Sequence, residues 1–177
     1  LLSRDLEENA KGNLNPDQVE SAGVIHKSGL ELLQLINEVL DLSKIEAGRM
    51  TLQIDDVDLH GVAGNTEQTF KPVAAQKGLL FKVTMLDELP RSIKTDGQRL
   101  QQILNNMVAN ALKFTEQGSV TVALQKPSPE TNLDKSGLSL ENCVAFCVTD
   151  TGIGIPRDKQ LLIFEAFQQA DSGTSRK

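Results

Sequence analysis

The sequence predicts an α+β protein in which a long helical hairpin precedes an α/β sandwich, with helices on one face of a mixed sheet. Two observations support this expectation. Residues 16–47 keep a helical repeat of apolar side chains, and after Gly48 the apolar period shortens to two, which is typical of strands. Strand-like and helix-like segments then alternate along the chain. The predicted domains are therefore residues 1–48 and residues 49–177.

The helical part begins as the end of one helix and continues after a turn into a second. Residues 15–18 read Asn-Pro-Asp-Gln, a strong helix start, because Asn caps, Pro suits the first position and Gln completes a capping box. A helix this long, with apolar residues on several faces, requires several neighbours, and a dimeric four-helix bundle supplies them most simply. We therefore expect a homodimer. The apolar positions are Ala22, Ile25, Gly29, Leu30, Leu32, Leu33, Leu35, Ile36, Val39, Leu40 and Leu42.

The remaining elements follow from the apolar period and from capping and turn residues. Asp58 and Asp96 each precede a predicted helix and can cap it. The strand expected last is rich in apolar residues, so we expect it to be buried. Predicted strands cover residues 50–54, 79–85, 92–94, 119–125 and 143–149, and predicted helices cover residues 59–76, 97–114 and 156–164.

The composition argues against several functions. The net charge is −6, from 18 basic and 24 acidic residues, and without a dense basic run nucleic-acid binding is disfavoured. No apolar stretch reaches the roughly 18 residues of a membrane span. We expect a cytoplasmic location, with any membrane anchor in segments outside this chain. Cys143 and Cys147 would lie about 13 Å apart in one strand, too far for a disulfide, and are expected to be buried, reduced thiols.

Residues 96–115 are the first segment whose side chains suggest chemistry. Asn106 and Asn110 are four residues apart, so they project from the same side of a helix, and Lys113 follows three residues later. An Asn carbonyl is a suitable hard ligand for Mg²⁺ that adds no charge beside phosphates, and Lys113 can neutralise phosphate. Taken alone, the pattern also fits exposed polar residues on an amphipathic helix.

Residues 150–156 form a glycine-rich turn directly after a predicted strand. A carboxylate at a strand end, here Asp150, can accept a hydrogen bond from an exocyclic amine. Gly152 and Gly154 permit positive φ and let a flat ligand approach the backbone. The third glycine of a dinucleotide fingerprint is absent. Taken alone, the segment also fits an ordinary turn between a strand and a helix.

Residues 164–171 contain two aromatic side chains, Phe164 and Phe167, followed by a polar tail with Gly and Ser. This arrangement can anchor the hinge of a mobile lid. Taken alone, it equally fits the end of a helix that is anchored in the core.

The order and spacing of these three segments resemble the ATP-binding domain of sensor histidine kinases, within the wider GHKL nucleotide-binding superfamily. Residues 96–115 resemble the N box of that family, residues 150–156 its first glycine box and residues 164–171 its F box. Residues 32–50 also resemble the end of the dimerisation and histidine-phosphotransfer hairpin. The similarity spans essentially the whole chain.

The resemblance implies roles for residues at the phosphate end of a bound ATP. Asn110 would coordinate a Mg²⁺ ion that bridges the phosphates, Asn106 would lie beside it, and Lys113 would contact phosphate. ATPase branches of the superfamily usually carry a Glu where Asn106 stands, to activate water, and its absence fits a kinase.

The resemblance also implies roles at the adenine end. Asp150 would receive the adenine amine, and Gly152 and Gly154 would line the base pocket. Phe164 and Phe167 would anchor the lid.

The implied activity is transfer of the γ-phosphoryl group of ATP to a protein histidine, followed by relay to an aspartate on a response-regulator receiver domain. Two alternatives remain open at this point. One is a catalytically silent dimerising scaffold that docks a response regulator, and the other is an ATPase of the gyrase or chaperone branch. The phosphoacceptor histidine motif and the second glycine box are expected outside this chain, and Gly97 stands where the family usually has Pro.

Overall fold

The computed structural model describes residues 2–134 and 137–160, and the chain divides into two compact units, residues 1–52 and residues 53–177. The helices are α1 (Leu2–Glu8), α2 (Pro16–Glu46), α3 (Leu59–Gln76) and α4 (Gly97–Phe114), with a 3₁₀ turn at Arg157–Lys159. The strands are β1 (Asp55–Asp58), β2 (Leu80–Met85), β3 (Ser92–Thr95), β4 (Ser119–Gln125) and β5 (Ala145–Asp150). No helix within these described ranges is long and apolar enough to cross a membrane.

The ends of α2 form as the sequence predicts. The side chain of Asn15 accepts a hydrogen bond from the backbone N–H of Gln18 at 2.9 Å, and the Gln18 side chain accepts from the Asn15 N–H at 3.0 Å. This is the predicted capping box. The helix stops before Gly48, which has φ +64 and whose N–H donates to the carbonyl of Ile45. A left-handed residue at this position ends a helix because it turns the chain away from the helix axis.

Helix α1 packs against the first half of α2. The contact buries Ala22, which is 4% exposed. A Cβ at Gly23 would lie 3.2 Å from a carboxylate oxygen of Glu7, so a small residue is suited to this position. The Ser3 hydroxyl also lies 3.3 Å from Nδ1 of His26. The wider four-helix bundle stays a prediction.

The rest of α2 carries large apolar side chains that the described residues leave exposed. Each of them is between 47% and 64% exposed, whereas a core residue of the same type is almost fully covered. Among the described residues, α2 therefore has an apolar surface that its own chain does not cover. The exposed side chains are Val24, Ile25, Leu30, Leu32, Leu33, Leu35, Ile36, Val39, Leu40 and Ile45.

The second unit contains a mixed sheet, which confirms the predicted α+β class. Its strand order is β2-β4-β5, with β2 parallel to β4 and β4 antiparallel to β5. Strands β1 and β3 form a separate two-stranded antiparallel sheet. The parallel pair β2–β4 is joined through β3 and α4, as a parallel pair requires a long crossover.

The core of this unit lies between the sheet and the two helices α3 and α4. Alternate residues of β4 point into it, and both helices contribute to the same cluster of buried side chains. Both helices therefore cover one face of the sheet, as predicted. The buried cluster consists of Leu59, Phe70, Ala74, Leu79, Val108, Ala111, Leu112, Val120, Val122 and Leu124.

The strand predicted over residues 50–54 is wrong. The strand is instead Asp55–Asp58, which pairs with Ser92–Thr95 along its whole length. The alternating apolar residues Leu52 and Ile54 are 59% and 55% exposed. The alternation of apolar residues indicated a strand over residues 50–54. Strand β3 has only four residues, however, and its pairing register selects Asp55–Asp58 as the residues that form β1.

The last predicted strand is also displaced and less buried than expected. It was predicted over residues 143–149 and is observed as Ala145–Asp150, with its first four residues half-buried and its last two exposed. Cys143 and Cys147 are free thiols, as predicted, but both are half-buried rather than buried. Within the described residues β5 has one neighbour, β4, so it is covered less than an inner strand would be.

Candidate functional site

The start of α4 is fixed by the carboxylate of Asp96. One carboxylate oxygen accepts from the backbone N–H of Arg99 at 3.0 Å, which is the predicted N-cap, and the other accepts from the N–H of Gln53 at 3.0 Å. Asp96 is only 8% exposed. The N–H of Gln53, followed by that of Arg99, holds the pKa of this carboxyl below its ordinary value, because both hydrogen bonds favour the charged form. The helix therefore begins at a defined place.

The buried side of α4 is apolar, whereas its exposed side is mixed and includes the apolar residues Ile103 and Met107. Its buried side consists of Leu104, Val108, Ala111 and Leu112. Asn106, Asn110 and Lys113 are exposed. The side chains of Asn106 and Asn110 hydrogen-bond to no other residue within the described ranges, and the Lys113 ammonium lies 5.3 Å from the centre of the Phe114 ring. The three residues predicted to act on phosphate are therefore accessible on one helix.

Asn105, next to Asn106, has a different environment. It is half-buried, and its side-chain amide oxygen accepts a hydrogen bond from the Gln101 side chain at 2.9 Å. The same Gln101 amide lies 3.2 Å from the hydroxyl of Thr66 on α3. This network joins α3 to α4, and no pattern in the sequence predicts it. Asn105 therefore supports the helix packing, while Asn106 remains available to a ligand.

Asp150 occupies the end of β5, where the sequence predicts it. One carboxylate oxygen accepts from the backbone N–H of Gly152 at 2.8 Å. The other oxygen has no hydrogen-bond partner within the described residues, and the residue is exposed. The turn thus holds the carboxylate by one oxygen and leaves the second free to accept from a ligand.

The two glycines of the turn are required for different reasons. A Cβ at Gly152 would overlap the backbone carbonyl oxygen of Phe114, so only glycine allows the turn to approach the end of α4 this closely. The N–H of Ile153 lies 3.4 Å from the same carbonyl oxygen. Gly154 has open space around it but adopts φ +69, a region that other residues rarely enter. The close approach at Gly152 was not predicted.

These contacts bring two of the predicted segments together. The turn that follows Asp150 lies against the carbonyl of Phe114, the neighbour of Lys113. Phe164 and Phe167 lie outside the described residues. Among the residues that are described, no group of three or more His, Cys, Asp or Glu side chains could hold a metal ion.

Thr151 is a further residue of the site, and its role was not predicted from the sequence. Its hydroxyl accepts from the N–H of Ser119 at 3.0 Å and lies 3.3 Å from the carbonyl oxygen of Gln117. Its own N–H donates to the carbonyl of Ser119 at 3.2 Å. These bonds join the turn to the start of β4, which lies 32 residues earlier in the chain. No local sequence signal indicates such a long-range contact.

Comparison with known proteins supports the resemblance seen in the sequence. Residues 95–177 match the family described as histidine kinase-, DNA gyrase B-, and HSP90-like ATPase. The sensory/regulatory protein RpfC of Xanthomonas campestris pv. campestris is 38% identical over 170 residues, which are 95% of this chain and 22% of that protein. The signal transduction histidine-protein kinase BarA of Escherichia coli strain K12 is 35% identical over 167 residues, covering 94% of this chain and 17% of that protein.

Solved structures are also similar over nearly the whole chain. The crystal structure of full-length ShkA in complex with AMPPNP superposes with a TM-score of 0.71 at 33% identity, covering 96% of this chain and 33% of that one. The chain therefore spans a third or less of the length of each of these proteins.

Proposed function

We propose that the chain binds Mg-ATP and transfers the γ-phosphoryl group to a protein histidine. The phosphoryl group then passes to an aspartate on a response-regulator receiver domain. Two findings support this proposal: residues 95–177 match the histidine kinase-, DNA gyrase B-, and HSP90-like ATPase family, and the relatives of the chain are sensor histidine kinases. The protein is accordingly part of a two-component phosphorelay.

One observation above all supports this proposal: the turn carrying Asp150 packs against the C-terminal end of α4. Gly152 and Ile153 both approach the carbonyl oxygen of Phe114, which follows Lys113 directly. A carboxylate suited to an amine donor and a cation suited to phosphate are therefore held on adjoining pieces of backbone. ATP is a ligand that offers both an exocyclic amine and phosphates.

At the adenine end, Asp150 is prepared to accept a hydrogen bond. Its first oxygen is held by the N–H of Gly152 at 2.8 Å, and its second is exposed. A carboxylate that is already oriented loses less freedom when it binds an amine. Gly152 and Gly154 would line the base pocket. The presence of AMPPNP, an ATP analogue, in the related ShkA structure supports this assignment.

At the phosphate end, the exposed side chains of α4 fit a magnesium-bound triphosphate. Asn110 would offer its amide oxygen to Mg²⁺, with Asn106 beside it and Lys113 on the phosphates. Neither Asn hydrogen-bonds to another described residue, so both amides are available. Mg²⁺, when bound, would neutralise the charge of the phosphate oxygens. The contribution of the chain is to orient the phosphates and to add the charge of Lys113.

The side-chain amide of Asn106 helps to distinguish transfer of the γ-phosphoryl group from hydrolysis of ATP. A general base must take a proton from water, and a side-chain amide cannot do so, whereas a carboxylate can. An Asn at this exposed position therefore does not activate water. This supports a kinase, which retains ATP for a protein histidine, over an ATPase.

The two predicted domains of the chain would have different roles. Residues 1–48 would be part of the dimerisation and histidine-phosphotransfer hairpin, and residues 49–177 the ATP-binding domain. The exposed apolar side chains of α2 support a homodimeric four-helix bundle, because a second copy would cover them. Phe164 and Phe167 would anchor a lid over ATP.

The test follows the γ-phosphate. The full protein is incubated with Mg²⁺ and ATP labelled at the γ-phosphate, and the label is traced. We expect an acid-labile, alkali-stable phosphoprotein, as a phosphohistidine is, and we expect Asp150→Asn to abolish it. Steady release of free phosphate without phosphoprotein would place the chain in the ATPase branch. ATP left intact would favour the silent scaffold that docks a response regulator.

A further inference from the structure

We propose that Thr151 is a positioning residue for the adenine end of the site. Its hydroxyl fixes the turn that lies against the end of α4, and the same turn holds the carboxylate of Asp150. The inference rests on the proposed ATP site and assigns a role to a residue between Asp150 and the glycines.

The hydroxyl of Thr151 extends the β4–β5 ladder beyond its last regular pair. The paired residues end at Val120 and Asp150, and the next two residues outward are Ser119 and Thr151. The N–H of Thr151 donates to the carbonyl of Ser119 at 3.2 Å, as in a regular ladder. The N–H of Ser119, however, donates to the side-chain hydroxyl of Thr151 at 3.0 Å. A side chain thus serves as the acceptor that a backbone carbonyl would provide in a continued strand.

Gly118 makes room for this hydroxyl. It adopts φ +111, and a Cβ at this position would overlap the Oγ1 atom of Thr151. The hydroxyl therefore occupies the space that a side chain at residue 118 would need. The same hydroxyl lies 3.3 Å from the carbonyl oxygen of Gln117, to which it can donate. The turn before β4 and the turn after β5 are consequently shaped to fit each other.

The hydroxyl matters for Asp150 because Thr151, which it anchors to the start of β4, is the next residue in the chain. Beyond Thr151 the turn is attached to the Phe114 carbonyl through the N–H of Ile153, at 3.4 Å. The N–H of Gly152, which holds the Asp150 carboxylate, lies between these two attachments. If the hydroxyl is removed, Thr151 keeps only its backbone hydrogen bond to Ser119, and the N–H of Ser119 loses its acceptor. Gly152 and the carboxylate it holds are then less well fixed.

The experiment compares two nucleotides that differ at the position Asp150 would recognise. ATP has an exocyclic amine, and inosine triphosphate has a carbonyl oxygen there. Affinities for both are measured on the full chain and on two variants, Thr151→Val, which keeps the shape and removes the hydroxyl, and Thr151→Ser, which keeps the hydroxyl. A hydrogen bond to a charged group corresponds to a preference of about tenfold or more for ATP. We expect Thr151→Val to reduce this preference at least about threefold and Thr151→Ser to retain it.

The ratio of affinities separates positioning from a purely structural role. A Thr151→Val variant that is less stable but keeps the wild-type preference for ATP would overturn the proposal. Gly118→Ala is a second variant that tests the same hydroxyl. The added Cβ must displace the Thr151 hydroxyl, so this variant should also lower the preference for ATP over inosine triphosphate. If Thr151→Val does not fold, loss of preference in Gly118→Ala and its retention in Thr151→Ser support the proposal, and any other combination overturns it. A wild-type chain that binds neither nucleotide would refute the proposed ATP site itself.

Discussion

Helices α2 and α4 differ in what covers their apolar side chains. Within the described residues, α4 buries Leu104, Val108, Ala111 and Leu112 in the core of its own unit, whereas α2 buries only Ala22. The exposed residues Asn106, Asn110 and Lys113 of α4 are therefore presented on a rigid support, which suits a site that needs fixed geometry. The apolar surface of α2 is stabilised only if something beyond the described residues covers it. This difference supports the proposed roles, a ligand site on α4 and an interface on α2.

The largest effect on stability is expected in the core of α4. Leu104 is 1% exposed, and Leu104→Ala should lower the free energy of unfolding by about 2–5 kcal/mol, because it leaves a cavity in a packed core. The neighbouring Ile103 is 57% exposed, so Ile103→Ala is a matched control that should change it by about 0.5 kcal/mol or less. Denaturant unfolding measures both. Equal losses in the two variants would show that α4 is not packed as described.

The next effect is expected on the association of α2. Leu32 and Ile36 are 59% and 47% exposed in the single chain. If a second copy buries them, the double variant Leu32→Ala/Ile36→Ala should raise the dimer dissociation constant by about a hundredfold or more, because each lost contact costs about 1.5–3 kcal/mol. Analytical ultracentrifugation over a concentration series gives this value. Glu31→Ala is the polar control on the same turn, and a chain that is monomeric at every concentration would rule out the proposed interface.

A smaller effect is expected at the helix caps. The side chain of Asp58 accepts from the N–H of Gly61 at 2.8 Å, and Asp58→Ala should reduce the stability of the second unit by about 1 kcal/mol. Asn15 caps α2 in the same way, so Asn15→Ala should mainly loosen the first turn of that helix. Hydrogen exchange of the amides in each first turn separates the two responses. If both variants lower global stability equally, α2 is more tightly coupled to the rest of the fold than its exposure indicates.

The smallest effect is expected on the pH dependence of stability. Because hydrogen bonds lower the pKa of Asp96 in the folded state, its contribution is complete above the ordinary carboxyl pKa of about 3.9 and is lost as the pH falls through the lowered value. The stability difference between the wild type and Asp96→Asn should therefore be constant near neutral pH and should shrink in acid. Denaturation from pH 7 to the onset of acid unfolding measures it, with Asp87→Asn as an exposed control. A difference that grows in acid would contradict this account.

Features that depend on neighbouring residues could be predicted from the sequence. The caps Asn15, Asp58 and Asp96 and the full extent of α4 were predicted, because capping and helical spacing act over three or four residues. The placement of Asp150 at a strand end was predicted for the same reason. The exposure of Asn106 and Asn110 follows from their position on the polar side of an amphipathic helix.

Features that depend on distant partners could not be predicted. The position of β1 is set by pairing with β3, so the alternation of Leu52 and Ile54 was misleading. The contact between Thr151 and Ser119 joins residues 32 apart, and the requirement for glycine at residue 152 comes from Phe114 on a different element. Such contacts arise only after the sheet and α4 have come together, and no short pattern in the sequence records them.

The most direct test of the nucleotide site is a calorimetric titration of the full chain and of Asp150→Asn with Mg-ATP. The Asn side chain keeps an oxygen for the N–H of Gly152 but presents a donor where the adenine amine needs an acceptor. We predict saturable binding to the wild type and to the exposed control Asp87→Asn, and its loss in Asp150→Asn. A folded wild-type chain that does not bind Mg-ATP, or an Asp150→Asn variant that binds it as tightly as the wild type, would contradict the assignment of this site.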